Sequence, residues 1–169
     1  MRRTHTSELL VMISLNRIHR RSRGGFSLIE LLIVIAIILI IASIAIPKLT
    51  QARKAAYEMA AIRSLHTVNT AQVQYFSTYG RYAASLAELG PPPGNAAPSP
   101  SAADLIPQNL STGLHSGYVF TMVGTPAGYT VSADPQAETT GTRHFYTDHN
   151  NVIRQNTSQP ASETDPEIQ

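Results

Sequence analysis

The sequence contains no cysteine, which excludes both a disulfide framework and a metal site built from thiolates. The fold must therefore be held by packing rather than by covalent cross-links. Serine, histidine and aspartate are present, but the sequence has no nucleophile-elbow motif and no other recognisable catalytic frame. These absences argue against an enzyme, and we expect no cofactor and no resident metal.

Basic residues are concentrated at the N-terminus rather than spread over the chain. Residues 1–25, which we call the leader, contain six arginines and a single acidic residue, Glu8. The remaining residues include seven basic and ten acidic side chains. The pI of about 9.1 is therefore mostly a property of the leader. We expect no direct nucleic-acid binding, and Met12 is a second candidate start of the chain.

A long apolar run follows the leader and ends at Pro47. The 21 residues from Phe26 to Ile46 have only three polar members, Ser27, Glu30 and Ser43. At about 1.5 Å per residue they span roughly 30 Å, the thickness of the hydrocarbon core of a bilayer. The arginines before the run predict a cytoplasmic N-terminus. An uncleaved signal-anchor is the simplest alternative, since secretory signals have apolar regions of only about 7–15 residues.

The sequence predicts one long helix from residue 26 to about residue 79. Its segment 47–80 is amphipathic, with Gly80 as the C-terminal stop and a kink at Pro47, which lacks a helical N–H. Lys54 and Glu58 are expected to face water as an i, i+4 pair. The opposite face carries an apolar stripe with helical spacing: Ala61, Leu65, Val68, Ala71, Tyr75 and Tyr79.

The rest of the chain predicts a small antiparallel sheet. A connecting region, 81–117, includes a capping box from Ser85 to Glu88 and an exposed loop over 90–104. The sheet occupies residues 118–154, and residues 155–169 are expected to be a disordered tail. The overall prediction is an α+β fold in which the sheet packs on the C-terminal half of the helix. Four strands are predicted: Tyr118–Val123, Tyr129–Ala133, Arg143–Thr147 and Asn151–Arg154.

The segment Gly25-Phe26-Ser27-Leu28-Ile29-Glu30, followed by the apolar run and Pro47, resembles the N-terminus of type IV pilin and type II secretion pseudopilin precursors. The resemblance covers residues 20–50 closely and the rest loosely. It implies that a prepilin peptidase cleaves between Gly25 and Phe26 and that the new Phe26 amine is N-methylated. It also implies anchoring in the bacterial inner membrane, then assembly by an inner-membrane platform into a surface or periplasmic filament with copies of itself and related pilins.

The resemblance places Glu30 at the fifth residue of the mature chain. There its carboxylate would pair with the Phe26 ammonium group of a neighbouring subunit and set the axial register of the filament. A simpler interpretation is that Glu30 lies shallowly in the span and favours the positive end of the helix dipole. Pro47 matches the proline where family helices bend, and we expect a joint there.

Several alternatives stay open. The chain fits a pilin, a type II pseudopilin, or a monomeric membrane-anchored binding module. Asp134, Glu138 and Asp148 offer oxygen ligands, but they lack the close spacing of a calcium loop, and calcium binding is left open. His144, Asp148 and His149 flank a turn and are expected to be surface residues rather than a metal site.

Overall fold

The structure is a computed structural model and describes residues 25–94 and 96–168. It divides the chain into two compact units, with the boundary between Ile40 and Ile41. Residues 1–24 of the predicted leader lie outside the described residues, as does Gln169.

In the first unit, the apolar run forms the beginning of helix α1, Leu28–Tyr79. Every residue from Leu28 to Ile40 is exposed. Among the residues that the structure describes, α1 is the one helix long and apolar enough to cross a membrane. The predicted span is therefore helical, and its residues from Leu28 to Ile40 are exposed in the part of the chain that the structure describes.

In the second unit, α1 continues through Pro47 and ends at Tyr79. Gly80 adopts a left-handed conformation (φ +71°), and its N–H donates to the Phe76 carbonyl over 2.8 Å. Only glycine adopts this conformation without steric cost, which confirms the predicted stop.

The predicted apolar stripe of α1 is buried, as expected. Its first five members are at most 3 % exposed, and Tyr79 is partly buried beside them. They pack against the inner face of the sheet within one hydrophobic core. Because apolar residues repeat every three or four positions, a single face of the helix supplies them all.

The sheet has five strands instead of the predicted four, in the order β1-β2-β3-β4-β5, and all neighbouring pairs are antiparallel. The additional strand, β1, has only two residues, too few to show the alternation that identifies a strand. Two short helices, α2 and α3, precede the sheet. The bounds are α2 Leu86–Leu89, α3 Gln108–Ser111, β1 Leu114–His115, β2 Tyr118–Thr125, β3 Gly128–Pro135, β4 His144–Asp148 and β5 Ile153–Asn156.

The segment after α1, at Ala83 and Ala84, is hydrogen-bonded to both α1 and β2. The side-chain amide of Gln72 accepts from the Ala83 N–H (2.9 Å) and donates to the Ala83 carbonyl (3.1 Å). The Gly124 N–H donates to the Ala84 carbonyl over 3.0 Å. A Cβ at Gly124 would collide with the Ala83 backbone, so this close approach requires glycine.

The predicted capping box at the start of α2 is wrong. Ser85 occupies the N-cap position but makes no side-chain capping bond. The Glu88 carboxylate turns instead toward the Ala84 N–H (3.1 Å), Arg81 Nη1 (3.0 Å) and the Tyr75 hydroxyl (3.0 Å). The Glu88 carboxylate thus accepts hydrogen bonds from three groups outside α2 instead of capping its own helix. These bonds connect α2 to the end of α1 and the residues that follow it.

Acidification should therefore destabilise the domain through Glu88. Burial alone would raise the pKa of Glu88, but hydrogen bonds from the Ala84 N–H, Arg81 and Tyr75 outweigh it and lower the pKa below its ordinary value. A carboxyl whose folded pKa is depressed stabilises the fold above the unfolded pKa and loses that contribution as pH falls through the folded value. Thermal unfolding of the full chain in detergent should show a Tm difference between wild type and Glu88→Gln that shrinks below about pH 4. A Tm difference that does not change with pH would contradict this contribution of Glu88 to stability.

Two loop expectations are also corrected. The loop 90–104 is exposed only in part, because Ala102 and Ala103 are buried and the Ala103 N–H donates to the Glu88 carbonyl over 2.8 Å. The tail 155–169, expected to be disordered, is ordered through Ile168 along the edge of β5. The Gln155 N–H donates to Pro166, and the Ile168 N–H donates to Ile153, both over 2.9 Å. These bonds join backbone groups, so the polar side-chain composition of the tail gave no indication of them.

Candidate functional site

The bond between Gly25 and Phe26 lies in an open segment just before α1. Residues 25–27 have no regular secondary structure, and Phe26 is 84 % exposed. A side chain at Gly25 would meet no described atom within 4 Å. Among the described residues, the backbone at Gly25 and Phe26 is therefore free of side-chain obstruction.

Glu30 and Ser27 form one half of a capping box at the start of α1. The Ser27 N–H donates to Glu30 Oε2 over 3.1 Å, and the Ser27 carbonyl accepts the Leu31 N–H over 3.2 Å. The carboxylate also lies at the positive end of the helix dipole. Sequence reasoning missed the Ser27 bond, although the Ser-x-x-Glu spacing was a signal for it.

The apolar surface that follows is large and open. Every Leu, Ile and Val side chain from Leu28 to Ile46 is between 46 and 81 % exposed. Glu30 is the only charged residue among them. A patch of this extent is unfavourable in water, so lipid or another protein surface must cover it.

The domain formed by residues 47–79 of α1 and the sheet, which we call the soluble domain, contains a buried ion pair that the sequence did not predict. Glu58 is only 7 % exposed, and its Oε2 accepts from Arg143 Nε over 2.8 Å. Its Oε1 accepts from the Thr142 N–H over 3.0 Å. The expected solvent-exposed pairing with Lys54 is therefore wrong, because the sheet brings Arg143 to Glu58 from 85 positions along the chain.

The candidate metal residues are only partly brought together. His144 Nδ1 lies 2.6 Å from Asp134 Oδ1, and Asp148 accepts from the Asn150 N–H over 2.8 Å. In the residues described, 25–94 and 96–168, no group of three or more histidine, aspartate or glutamate side chains is placed to hold a metal ion. The structure therefore shows a pair between His144 and Asp134 and a separate turn at Asp148 and Asn150.

Two comparisons with known proteins bear on this site. Residues 20–46 match the prokaryotic N-terminal methylation motif, which includes Gly25, Phe26 and Glu30. A stretch of 75 residues is 41 % identical to the type IV major pilin protein PilA of Myxococcus xanthus (strain DK1622). That stretch is 44 % of this chain and 34 % of the relative, so the chain matches about a third of the relative's length. The chain is therefore similar to type IV pilins in its N-terminal motif and over this stretch, and its long N-terminal helix with an antiparallel sheet on the C-terminal half is a pilin-like α+β fold.

Proposed function

We propose that this protein is a structural subunit of a type IV pilus-like filament and has no enzymatic activity. The observation that carries the proposal is the exposed apolar part of α1, in which Glu30 is the only charged residue and which follows the open Gly25–Phe26 bond. A partial relative named as a type IV major pilin supports a pilin over a monomeric anchored module.

Before assembly, residues 26–46 would anchor the chain in the bacterial inner membrane with its N-terminus in the cytoplasm. Lipid then covers the apolar helix. When the assembly platform extracts the subunit, the same surface must be covered by protein. Helices from neighbouring copies and related pilins provide that cover, and the soluble domains face outward.

Processing would occur at the Gly25–Phe26 bond. The glycine leaves the backbone free of side-chain obstruction, so a prepilin peptidase can bind it in an extended form. Cleavage releases a new amine on Phe26, which is then N-methylated. A cationic nitrogen is thereby created four residues before Glu30.

Glu30 would then set the axial register. Its Oε2 is bonded to the Ser27 N–H, which leaves Oε1 to accept from the Phe26 ammonium group of the neighbouring copy. In a water-poor core, a subunit shifted along the axis would bury this carboxylate unpaired. The correct register is therefore the one that pairs the two charges.

Pro47 would act as a joint between the filament-core half and the soluble half of α1. The helix continues through this position, and the Thr50 hydroxyl donates to the Ile46 carbonyl over 3.2 Å. Back-bonding of this kind and a missing proline N–H both favour a bend.

Mass spectrometry of the protein isolated from its native host tests the proposal. The mature chain should begin at Phe26 and carry one additional methyl group, and electron microscopy of sheared material should show helical filaments. A chain that still begins upstream of Phe26, in cells without filaments, would contradict the proposal.

A further inference from the structure

A polar cavity of about 400 Å³ is bounded by α1 and by the loop that joins β3 to β4. Lys54 lines it from α1, Glu138 from the loop, and His144 from the start of β4. Thr157, which follows β5, contributes to the wall as well. Small-molecule sites in proteins usually have volumes of about 300–1,000 Å³. This cavity, which we call the Lys54 cavity, is therefore large enough for a small polar ligand.

Two opposite charges line the Lys54 cavity without pairing. Across residues 25–94 and 96–168, neither the Lys54 ammonium nor the Glu138 carboxylate takes part in an ion pair or a side-chain hydrogen bond. The two charged groups are therefore more than 4.0 Å apart, the longest separation of an ion pair. Lys54 is also partly buried, which makes an unpaired ammonium less favourable. A ligand that carries both an anionic and a cationic group would satisfy both side chains.

Two uncharged groups of the cavity extend this pattern. His144 Nδ1 lies 2.6 Å from Asp134 Oδ1, and because an ionised carboxylate only accepts, Nδ1 carries the hydrogen. In the neutral ring, Nε2 is then an acceptor, as is the Glu138 carboxylate. The Thr157 hydroxyl, like the Lys54 ammonium, is a donor that forms no side-chain hydrogen bond within the described residues. The cavity thus offers acceptors for an ammonium group and donors for an anion.

The Lys54 cavity lies at the level of the membrane surface when the apolar part of α1 spans the bilayer. Leu49 is apolar and 54 % exposed, and Lys54 follows it by five residues, or about 8 Å along the helix. The headgroup layer on each side of the hydrocarbon core is about 5–7 Å thick, within reach of the flexible lysine stem. Tyr57 is 37 % exposed, and tyrosine is enriched at this interface. The ligand closest to the cavity is therefore a phospholipid headgroup.

We propose that the Lys54 cavity binds the headgroup of a phospholipid with a phosphate and a primary ammonium group, such as phosphatidylethanolamine, while the subunit is in the membrane. The inference rests on the membrane anchoring in the proposed function. Lys54 and the Thr157 hydroxyl donate to the phosphate. The ammonium group donates to the Glu138 carboxylate and to Nε2 of His144. A headgroup that carries only the phosphate charge would leave Glu138 unpaired and would be repelled by it.

Native mass spectrometry of the full chain in detergent tests the site, with phosphatidylethanolamine and phosphatidylglycerol of the same acyl chains added in equal amounts. Wild type should retain phosphatidylethanolamine at least about fivefold over phosphatidylglycerol, and Lys54→Gln should reduce that retention at least about fivefold. The matched control is Arg53→Gln, which changes an exposed cation that does not line the cavity, and its retention should stay within about twofold of wild type. Unchanged Tm values show that the variants fold.

Glu138→Gln separates a zwitterionic site from a simple anion site. The change removes the partner of the ammonium group and the repulsion of an anionic headgroup, so the two lipids should be retained within about twofold of each other. Added O-phosphoethanolamine should displace the retained lipid, whereas inorganic phosphate at the same concentration should not, because it lacks the ammonium group. A Glu138→Gln chain that keeps the wild-type preference, or equal displacement by the two soluble compounds, would overturn the zwitterionic assignment.

Failure of the headgroup site and failure of the filament function give different results. If wild type and Lys54→Gln retain equal amounts of phosphatidylethanolamine while wild-type cells form filaments, the headgroup site is overturned and the filament function stands. Wild-type cells without filaments would overturn the proposed function itself.

Discussion

Glu30→Gln should be inserted, cleaved and methylated like the wild type and yet yield no filaments. The substitution removes the negative charge but keeps a side-chain oxygen that can still accept the Ser27 N–H, a bond of 3.1 Å in the structure. The proposed cleavage bond, between Gly25 and Phe26, lies four residues before Glu30 in a segment without regular structure, so processing should be unaffected. In the assembled core, however, the Phe26 ammonium group of the neighbouring copy would lose its counter-ion, and a buried charge without a partner is strongly destabilising.

A pair of variants separates the two roles of Glu30. Glu30→Ala removes both the cap and the charge, whereas Glu30→Gln removes only the charge. If Glu30 serves mainly as a cap, the glutamine variant should assemble and the alanine variant should be impaired by the roughly 1 kcal/mol of a lost cap. If Glu30 sets the register, both variants should lack filaments. Quantification of sheared filaments against the processed membrane pool measures the outcome, and wild-type yield from Glu30→Gln would exclude the register role.

The sequence predicted the parts of this protein that depend on local patterns. The membrane-length helix follows from the apolar run 26–46, which has only three polar residues, and the core stripe follows from helical spacing over Ala61–Tyr79. Alternation identified the inward residues of β2 and β3, and Gly80 identified the end of α1. In each of these cases, the deciding interaction lies within a few residues of the signal.

The errors concern interactions between distant segments. Glu58, Asn69 and Gln72 are buried polar residues on α1, on the same side of the helix as the core stripe. Their burial is acceptable only because partners arrive from elsewhere: Arg143 for Glu58, Thr147 for Asn69 and Ala83 for Gln72. Helical spacing carries no information about partners outside the helix, and these lie 11, 78 and 85 residues away along the chain.

The C-terminal segment was misjudged for the same reason. Residues 155–168 contain few apolar side chains, and their composition is typical of disorder. Their order comes from the free edge of β5, which offers backbone groups that Pro166 and Ile168 satisfy. An unpaired edge attracts additional strands, and the chain covers this one with its own end.

Arg143→Ala should destabilise the soluble domain by about 3–5 kcal/mol, because it leaves the Glu58 carboxylate buried without its cation. Glu58 is 7 % exposed, and the lost guanidinium also donates to Gln155 over 2.8 Å and stacks on Phe145, with its carbon 5.3 Å from the ring centre. Small domains have only about 5–15 kcal/mol of stability in total, so the variant should be close to unfolding.

The comparison that isolates burial is Glu167→Ala, which removes the exposed ion pair between Arg154 and Glu167. Those charges are 3.4 Å apart, and the Glu167 side chain is 59 % exposed. Solvent screening should therefore limit the decrease in the free energy of unfolding of Glu167→Ala to under about 1 kcal/mol. Urea denaturation of the full-length variants in detergent measures both. The double variant Glu58→Met/Arg143→Met should be less destabilised than the sum of the two single changes, since it leaves no buried charge, although the Thr142 N–H loses its acceptor. Equal losses from Arg143→Ala and Glu167→Ala would show that the buried pair contributes no more than a surface contact.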